Sequence, residues 1–119
     1  MPWLPLDLRL RDRESLSTRG LLDSGATVNV IPYDPGIRLG AVWEAQTTRV
    51  VLTGNLAAEE ARALLIQARV GDFSPVRLVF AWTYSNKVPL LLGQVNFFQE
   101  FDLCFYRSRL QFVIEPARK

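Results

Sequence analysis

The amino-acid sequence predicts an all-β or mostly β fold of about eight strands with one short helix near the C-terminus. Short apolar runs with strand-like alternation recur along the chain, and Gly, Pro or Asn residues separate them. Only one short segment begins with a clear helix cap and contains no strand pattern. At 119 residues we expect a single domain spanning residues 1–119, because one hydrophobic core suffices at that length.

Four strands are predicted in the first half of the chain. The first alternates strictly, because Leu6, Leu8 and Leu10 are separated by charged residues, as on a half-buried strand. The turn Thr53-Gly54-Asn55 follows the fourth strand, as in a hairpin arm. The predicted strands lie near residues 6–11, 15–22, 28–31 and 46–52, and Pro and Gly residues predict a loop at 33–40.

Residues 57–69 are ambiguous between helix and strand. Glu59 to Leu64 are good helix formers, which favours a helix. Apolar residues also alternate from Leu64 to Val70, and Gly71-Asp72 would close a hairpin onto residues 76–82. We favour a strand over residues 62–70, and the helix stays open as the alternative.

The C-terminal third contains the predicted short helix. Pro89 to Gly93 is predicted to be a short buried strand that Gly93 ends, and Asn96 is a suitable cap for a helix through Phe101. Two strands, at residues 103–106 and 110–114, are expected to finish the chain around an Arg107-Ser108-Arg109 turn.

The residue types present exclude several kinds of reaction. The chain has no His and one Cys, Cys104. A Ser-His-Asp triad, a Cys-His nucleophile and a His-based zinc site are therefore excluded. We expect no metal and no cofactor, and any acid-base chemistry must use carboxylates, Lys, Tyr or water.

The charge pattern gives no sign of a nucleic-acid or membrane partner. Fourteen Lys and Arg against twelve Asp and Glu leave a net charge of +2. The densest basic stretch, Arg9, Arg11 and Arg13, is interleaved with acidic residues, as on the solvated face of a strand. No apolar run approaches the roughly 18–20 residues that span a bilayer, and the N-terminus lacks the pattern of a signal peptide. The cytoplasm is the expected compartment.

The segment from Leu21 to Pro32 contains the candidate chemistry. An apolar strand leads into Asp23-Ser24-Gly25, and a β-branched strand follows it. By itself Asp-Ser-Gly indicates only a turn or a helix cap. The apolar strands on both sides instead place Asp23 at the end of a buried strand, where its carboxylate can activate a water and Gly25 allows close backbone approach.

This segment resembles the active-site segment of the retropepsin family, the single-domain aspartic proteases of retroviruses and their cellular and bacterial relatives. Leu90 to Gly93, followed by Asn96-Phe97-Phe98, is similar to the family's hydrophobic-hydrophobic-Gly signature and its helix. Val51 to Gly54 is similar to the arm of the flap that covers the substrate. The chain departs from the family at Gln94-Val95, where Arg-Asp or Arg-Asn is common, and in a flap with few glycines.

The resemblance implies a retropepsin-like closed barrel and a homodimer that acts as an aspartic endopeptidase. A water would be activated between two Asp23 carboxylates, one from each chain, because the sequence has only one Asp-Ser/Thr-Gly motif. A peptide or protein would be the substrate. The resemblance further implies that Ser24 locks the two loops across the axis, Gly25 contacts substrate, Ala26, Thr27 and Asn29 line or support the floor, and Gly54 and Asn55 lie near the flap tip.

Two other interpretations stay open. The first is the same fold without activity, used for dimerisation or peptide binding, with Asp23 as a structural turn residue. The second is an unrelated small β-barrel binding domain in which the motif is accidental.

Overall fold

Six strands close into a barrel in the order β1-β2-β6-β3-β5-β4. The computed structural model describes residues 2–23 and 25–93 and, for the backbone alone, residues 101–106 and 111–116. The strands are β1 Trp3–Arg9, β2 Leu16–Leu22, β3 Asn29–Ile31, β4 Ala61–Arg69, β5 Val76–Thr83, β6 Leu91–Leu92, β7 Phe101–Tyr106 and β8 Gln111–Pro116; the helix α1 is Tyr33–Arg38, and 3-10 turns lie at Trp43–Ala45 and Gly54–Leu56.

The barrel interior is filled by alternate residues of its longer strands. In β1, Leu4, Leu6 and Leu8 are buried, while the residues between them face outward or are half-buried. This period of two is the one that a pleated strand imposes on its side chains. Strands β4 and β5 pair antiparallel along their length and add the largest buried side chains, namely Leu64, Ile66, Leu78, Phe80 and Trp82.

The prediction of a mostly β fold is confirmed, but the barrel has six strands and not eight. Among the described residues, β7 and β8 pair only with each other in a separate two-stranded sheet. The strand favoured for residues 62–70 is confirmed as β4, and the hairpin to β5 is confirmed with it. Residues 96–100 of the predicted C-terminal helix lie outside the described residues, and Phe101 begins β7.

The loop predicted at residues 33–40 is wrong, because residues 33–38 form α1. Packing against the barrel explains the helix. The indole Nε1–H of Trp82 donates to the Tyr33 carbonyl at 3.1 Å. A Cβ on Gly36 would lie 2.2 Å from that indole nitrogen, so only glycine lets α1 approach so closely.

In the part of the chain that the structure describes, no helix is long and apolar enough to cross a membrane.

The strand predicted at residues 46–52 is also wrong. This segment makes one isolated bridge to β4, between Arg49 and Arg62. Two backbone hydrogen bonds accompany the bridge, from Val50 N–H to the Ala61 carbonyl at 3.0 Å and from Ala63 N–H to the Thr48 carbonyl at 2.8 Å. The segment therefore lies along β4 without continuing the sheet.

Arg62 anchors the turn at residues 43–45 to β4. Its Nη1 donates to the Trp43 carbonyl at 2.6 Å and to the Gln46 carbonyl at 3.3 Å. Its guanidinium also lies 4.4 Å from the centre of the Trp43 ring. The two carbonyls and the ring face together fit the planar, multiply donating guanidinium better than an ammonium group.

We expect Arg62→Ala to lower the free energy of unfolding by about 2–3 kcal/mol, since it removes a charged donor from two carbonyls and a cation from an aromatic face. Arg62→Lys should recover only part of that loss. Urea denaturation followed by tryptophan fluorescence would measure both. Exposed Arg38 provides the control, and an Arg38→Ala loss as large as that of Arg62→Ala would contradict the anchoring role.

The outward face of β1 carries one carboxylate with a shifted pKa. The Ser17 hydroxyl donates to Asp7 Oδ1 at 2.7 Å, and Arg69 Nη2 donates to Oδ2 at 3.3 Å. The hydroxyl first, and the guanidinium second, hold the pKa of Asp7 below its usual 3.8. Because the folded-state pKa is the lower one, ionised Asp7 stabilises the fold above the unfolded pKa and loses that effect as the pH falls through the folded pKa.

We therefore expect Asp7→Asn to lower the urea midpoint at pH 7, and its difference from wild type to disappear at an acidic pH below the folded-state pKa of Asp7, which itself lies below 3.8. Urea titrations at the two pH values would measure it. Asp72→Asn, at an exposed turn, is the matched control. A difference in urea midpoint between wild type and Asp7→Asn that stays constant with pH would show that the charge of Asp7 does not affect stability.

Candidate active site

Asp23 directly follows β2 and begins a tight turn. Its backbone N–H donates to the Leu92 carbonyl at 3.1 Å, and its own carbonyl accepts from Ala26 N–H at 3.1 Å. Its side-chain Oδ1 accepts from Gly25 N–H at 2.9 Å. The side chain is partly exposed. The backbone of the turn therefore holds the carboxylate at one oxygen.

Strand β6 brings the second sequence motif beside this turn. It pairs parallel with β2, aligning Leu22 with Leu92, and antiparallel with β3, aligning Val30 with Leu91. The segment from Leu90 to Gly93 thus lies between the strand that enters the Asp23 turn and the strand that leaves it. The two motifs that the sequence placed far apart form one structural unit.

A fully buried Asn29 ties this unit together. Its Oδ1 accepts from Gly93 N–H at 2.9 Å, and its Nδ2 donates to the Val79 carbonyl at 3.1 Å. Gly93 also packs tightly on the loop after Asp23, since a Cβ at that position would lie 2.6 Å from the Val28 carbonyl oxygen. A buried amide with partners on both of its ends fixes the relative positions of β3, β5 and β6.

The other predicted site residues fall into two groups. Gly25, Ala26 and Thr27 lie in the turn with Asp23, where Gly25 and Thr27 are exposed and Ala26 is half-buried, while Ser24 lies outside the described residues. Gly54 and Asn55 are exposed in a 3-10 turn, and Gly54 has a φ of +64°. Among the described residues no hydrogen bond joins that turn to Asp23.

An apolar cluster nevertheless connects the two regions. Leu52 is buried and Leu56 partly buried on either side of the Gly54 turn, and both belong to a cluster that also contains Leu21 and Val28. Those last two residues flank the Asp23 turn in sequence. The turn that was compared with a flap therefore packs against the same apolar layer as the Asp23 loop.

The sequence assigned Asn29 only a general supporting role, and its two partners were missed. One signal was present, because Asn29 is a polar residue between Val28 and Val30 in an otherwise apolar run. A buried amide in such a position must find partners. No cluster of three or more side chains suited to a metal ion occurs in the part of the chain that the structure describes.

The comparisons with known proteins agree with this architecture. The chain matches no family model and no curated protein. It is similar to the crystal structure of a retropepsin-like aspartic protease from Rickettsia conorii, with a TM-score of 0.62 and 17% identity over 96% of this chain and 94% of that chain. The chain has a retropepsin-like fold. At this identity the likeness concerns the fold alone, and it argues against the alternative of an unrelated small β-barrel.

We expect Asn29→Ala to lower the free energy of unfolding by about 1–3 kcal/mol, because it leaves the buried Gly93 N–H without its acceptor and removes the amide that donates to the Val79 carbonyl. Chemical denaturation would measure the loss. Exposed Asn55→Ala is the matched control and should change stability by less than about 0.5 kcal/mol. Equal effects of the two substitutions would contradict the bridging role of Asn29.

Proposed function

We propose that the chain is an aspartic endopeptidase that acts as a homodimer, with one Asp23 carboxylate supplied by each copy. The observation that carries this proposal is the Asp23 turn itself. Its carboxylate is partly exposed, is held by Gly25 N–H at 2.9 Å, and stands at the end of a barrel strand in a retropepsin-like fold. A fixed carboxylate at a surface is what water activation requires.

Hydrolysis by this route needs two carboxylates. One ionised carboxylate takes a proton from water as the water attacks the scissile carbonyl carbon, while the other, protonated, donates a hydrogen bond to the carbonyl oxygen. Two carboxylates about 3 Å apart cannot both ionise, so the pair shares one proton. The chain has one Asp-Ser/Thr-Gly motif, and a second copy related by twofold symmetry would supply the other.

The surroundings of Asp23 are compatible with such an arrangement. Asp23 is partly exposed, and Gly25 and Thr27 beside it are exposed, so the turn is accessible to a second copy of the chain. In the proposed dimer Ser24 would lock the two loops across the axis, Gly25 would contact the substrate backbone, and Ala26 and Thr27 would line the floor. Gly54 and Asn55 would cover a bound peptide or protein.

A second candidate is the same fold without catalysis, used for dimerisation or peptide binding. The conformation of residues 46–58 favours it. The segment makes only an isolated bridge to β4 where a flap hairpin was expected, and the turn contains Leu56, Ala57 and Ala58 in place of mobile glycines. Such a turn has less backbone freedom to close over a substrate.

Cleavage of a diverse peptide mixture at mildly acidic pH distinguishes the two candidates. New termini identified by mass spectrometry should appear with wild type, and Asp23→Asn should cut at least about a thousandfold more slowly because it removes the dyad. Asp72→Asn, at an exposed turn away from the site, is the control. No cleavage by a wild-type protein that sedimentation shows to be dimeric would favour the non-catalytic candidate.

Mixing tests whether the two carboxylates come from different chains. When equal amounts of wild type and Asp23→Asn exchange subunits at random, activity per wild-type chain should fall to about half, since mixed dimers hold one carboxylate. Activity that is unchanged by the mutant chain, under conditions where exchange is complete, would contradict the shared site.

A further inference from the structure

A cavity of about 590 Å³ opens at the end of the barrel opposite to Asp23. It lies between the turn that joins β1 to β2, the outer face of β4 and the segment after α1. Asp23 follows the last residue of β2, whereas the cavity adjoins the turn before its first. Seven residues of strand separate the two, or about 20 Å at roughly 3.3 Å per residue.

The lining of this cavity is strongly basic. It contains Arg9, Arg11, Arg13 and Arg77 against a single acidic residue, Asp12. Strand pairing explains part of this concentration, because Arg9 aligns with Gln67 and Gln67 aligns with Arg77 across three neighbouring strands. Side chains directly opposite each other on one face stand about 5 Å apart. Arg9 and Arg77 therefore lie on either side of Gln67 in one row across the three strands.

Two of the arginine side chains are held in place, and the other two have no polar partner among the described residues. Arg9 Nη2 donates to Gln67 Oε1 at 3.1 Å. Arg13 lies against Gly40, where φ is +97° and a Cβ would stand 2.4 Å from Arg13 Cδ. The side chains of Arg11 and Arg77 make no hydrogen bond or ion pair with the described residues. Fixed and unpaired guanidinium groups around one hollow are suited to carboxylate or phosphate oxygens.

The shape and the apolar part of the lining indicate the kind of ligand. Val42 and Leu65 line the cavity and are 56% and 54% exposed. A second cavity of about 270 Å³ shares Arg9 and Gln67 with the first, and its lining adds Arg69 together with Asp7, to which Arg69 is paired. The cavity therefore continues along the barrel face, and its positive charge is concentrated in the first part. An elongated basic groove with exposed aliphatic side chains fits an extended peptide that alternates acidic and apolar residues.

Nucleic acid is the less suitable polyanion. Proteins that hold single strands usually stack the bases on aromatic side chains, and the described residues that line the two cavities include no aromatic side chain. We propose that this groove binds an acidic, extended segment of another protein. The inference goes beyond the proposed endopeptidase and does not depend on Asp23.

The test uses a fluorescein-labelled seven-residue peptide that alternates Glu with Leu or Val, and a control peptide with Gln in place of Glu. Fluorescence anisotropy would measure binding to the full chain carrying Asp23→Asn, so that the probe is not cut. The groove variant is Arg11→Gln with Arg77→Gln, whose side chains make no hydrogen bond or ion pair in the described part of the fold. The matched control, Arg38→Gln with Lys87→Gln, removes the same charge from exposed positions outside the groove.

We expect the Glu peptide to bind and the Gln peptide to bind much more weakly, with the affinity falling as salt rises. The groove variant should weaken binding about tenfold and the matched control hardly at all. Asp12→Asn should tighten binding about twofold to threefold, because it removes the acidic side chain that lines the larger cavity beside Arg11 and Arg13. That gain in affinity is not expected from a residue with a merely structural role.

Three results would overturn the proposal. The first is no binding of the Glu peptide at low salt. The second is an equal loss in the groove variant and the matched control, which would show that only net charge matters. The third is a single-stranded oligonucleotide of equal charge that binds more tightly and with the same dependence on Arg11 and Arg77, which would make the groove a nucleic-acid site.

Discussion

The buried amide of Asn29 is the interaction on which the candidate site depends. It accepts a hydrogen bond from Gly93 N–H and donates one to the Val79 carbonyl, so a single side chain links β3 to β5 and to the end of β6. Strand β6 in turn carries Leu92, whose carbonyl receives the N–H of Asp23. The position of Asp23 is therefore fixed by the barrel core, and its turn needs little rigidity of its own.

Local patterns in the sequence were sufficient where one face of a strand meets the core. Alternating apolar residues predicted β1. At the start of β4, the same alternation favoured a strand despite several good helix formers, and the strand is correct because pairing with β5 decides the conformation there. The same reasoning failed at α1. Pro35 and Gly36 suggested a loop, but proline is tolerated in the first turn of a helix, and Gly36 is needed for contact with Trp82.

Some residues of the candidate site could be identified from local sequence patterns, and others could not. Asp23 and Gly25 were identified from the sequence because a turn between two apolar strands is a local pattern, and their hydrogen bond joins near neighbours. The partners of Asn29 lie 50 and 64 residues away in the chain. No local pattern encodes such separations, and only the order of strands in the barrel brings these groups together.

The distribution of charged residues on the surface also depends on strand pairing. Along the sequence, acidic residues interleave with Arg9, Arg11 and Arg13, which suggested an ordinary solvated face. In the fold Asp7 is engaged by Ser17 and Arg69, and of the interleaved acids only Asp12 lines the main cavity. Strand pairing then adds Arg77, from a distant part of the chain, to the row that begins with Arg9. A net charge near zero thus coexists with a locally positive cavity lining, because strand pairing brings together arginines from distant parts of the chain.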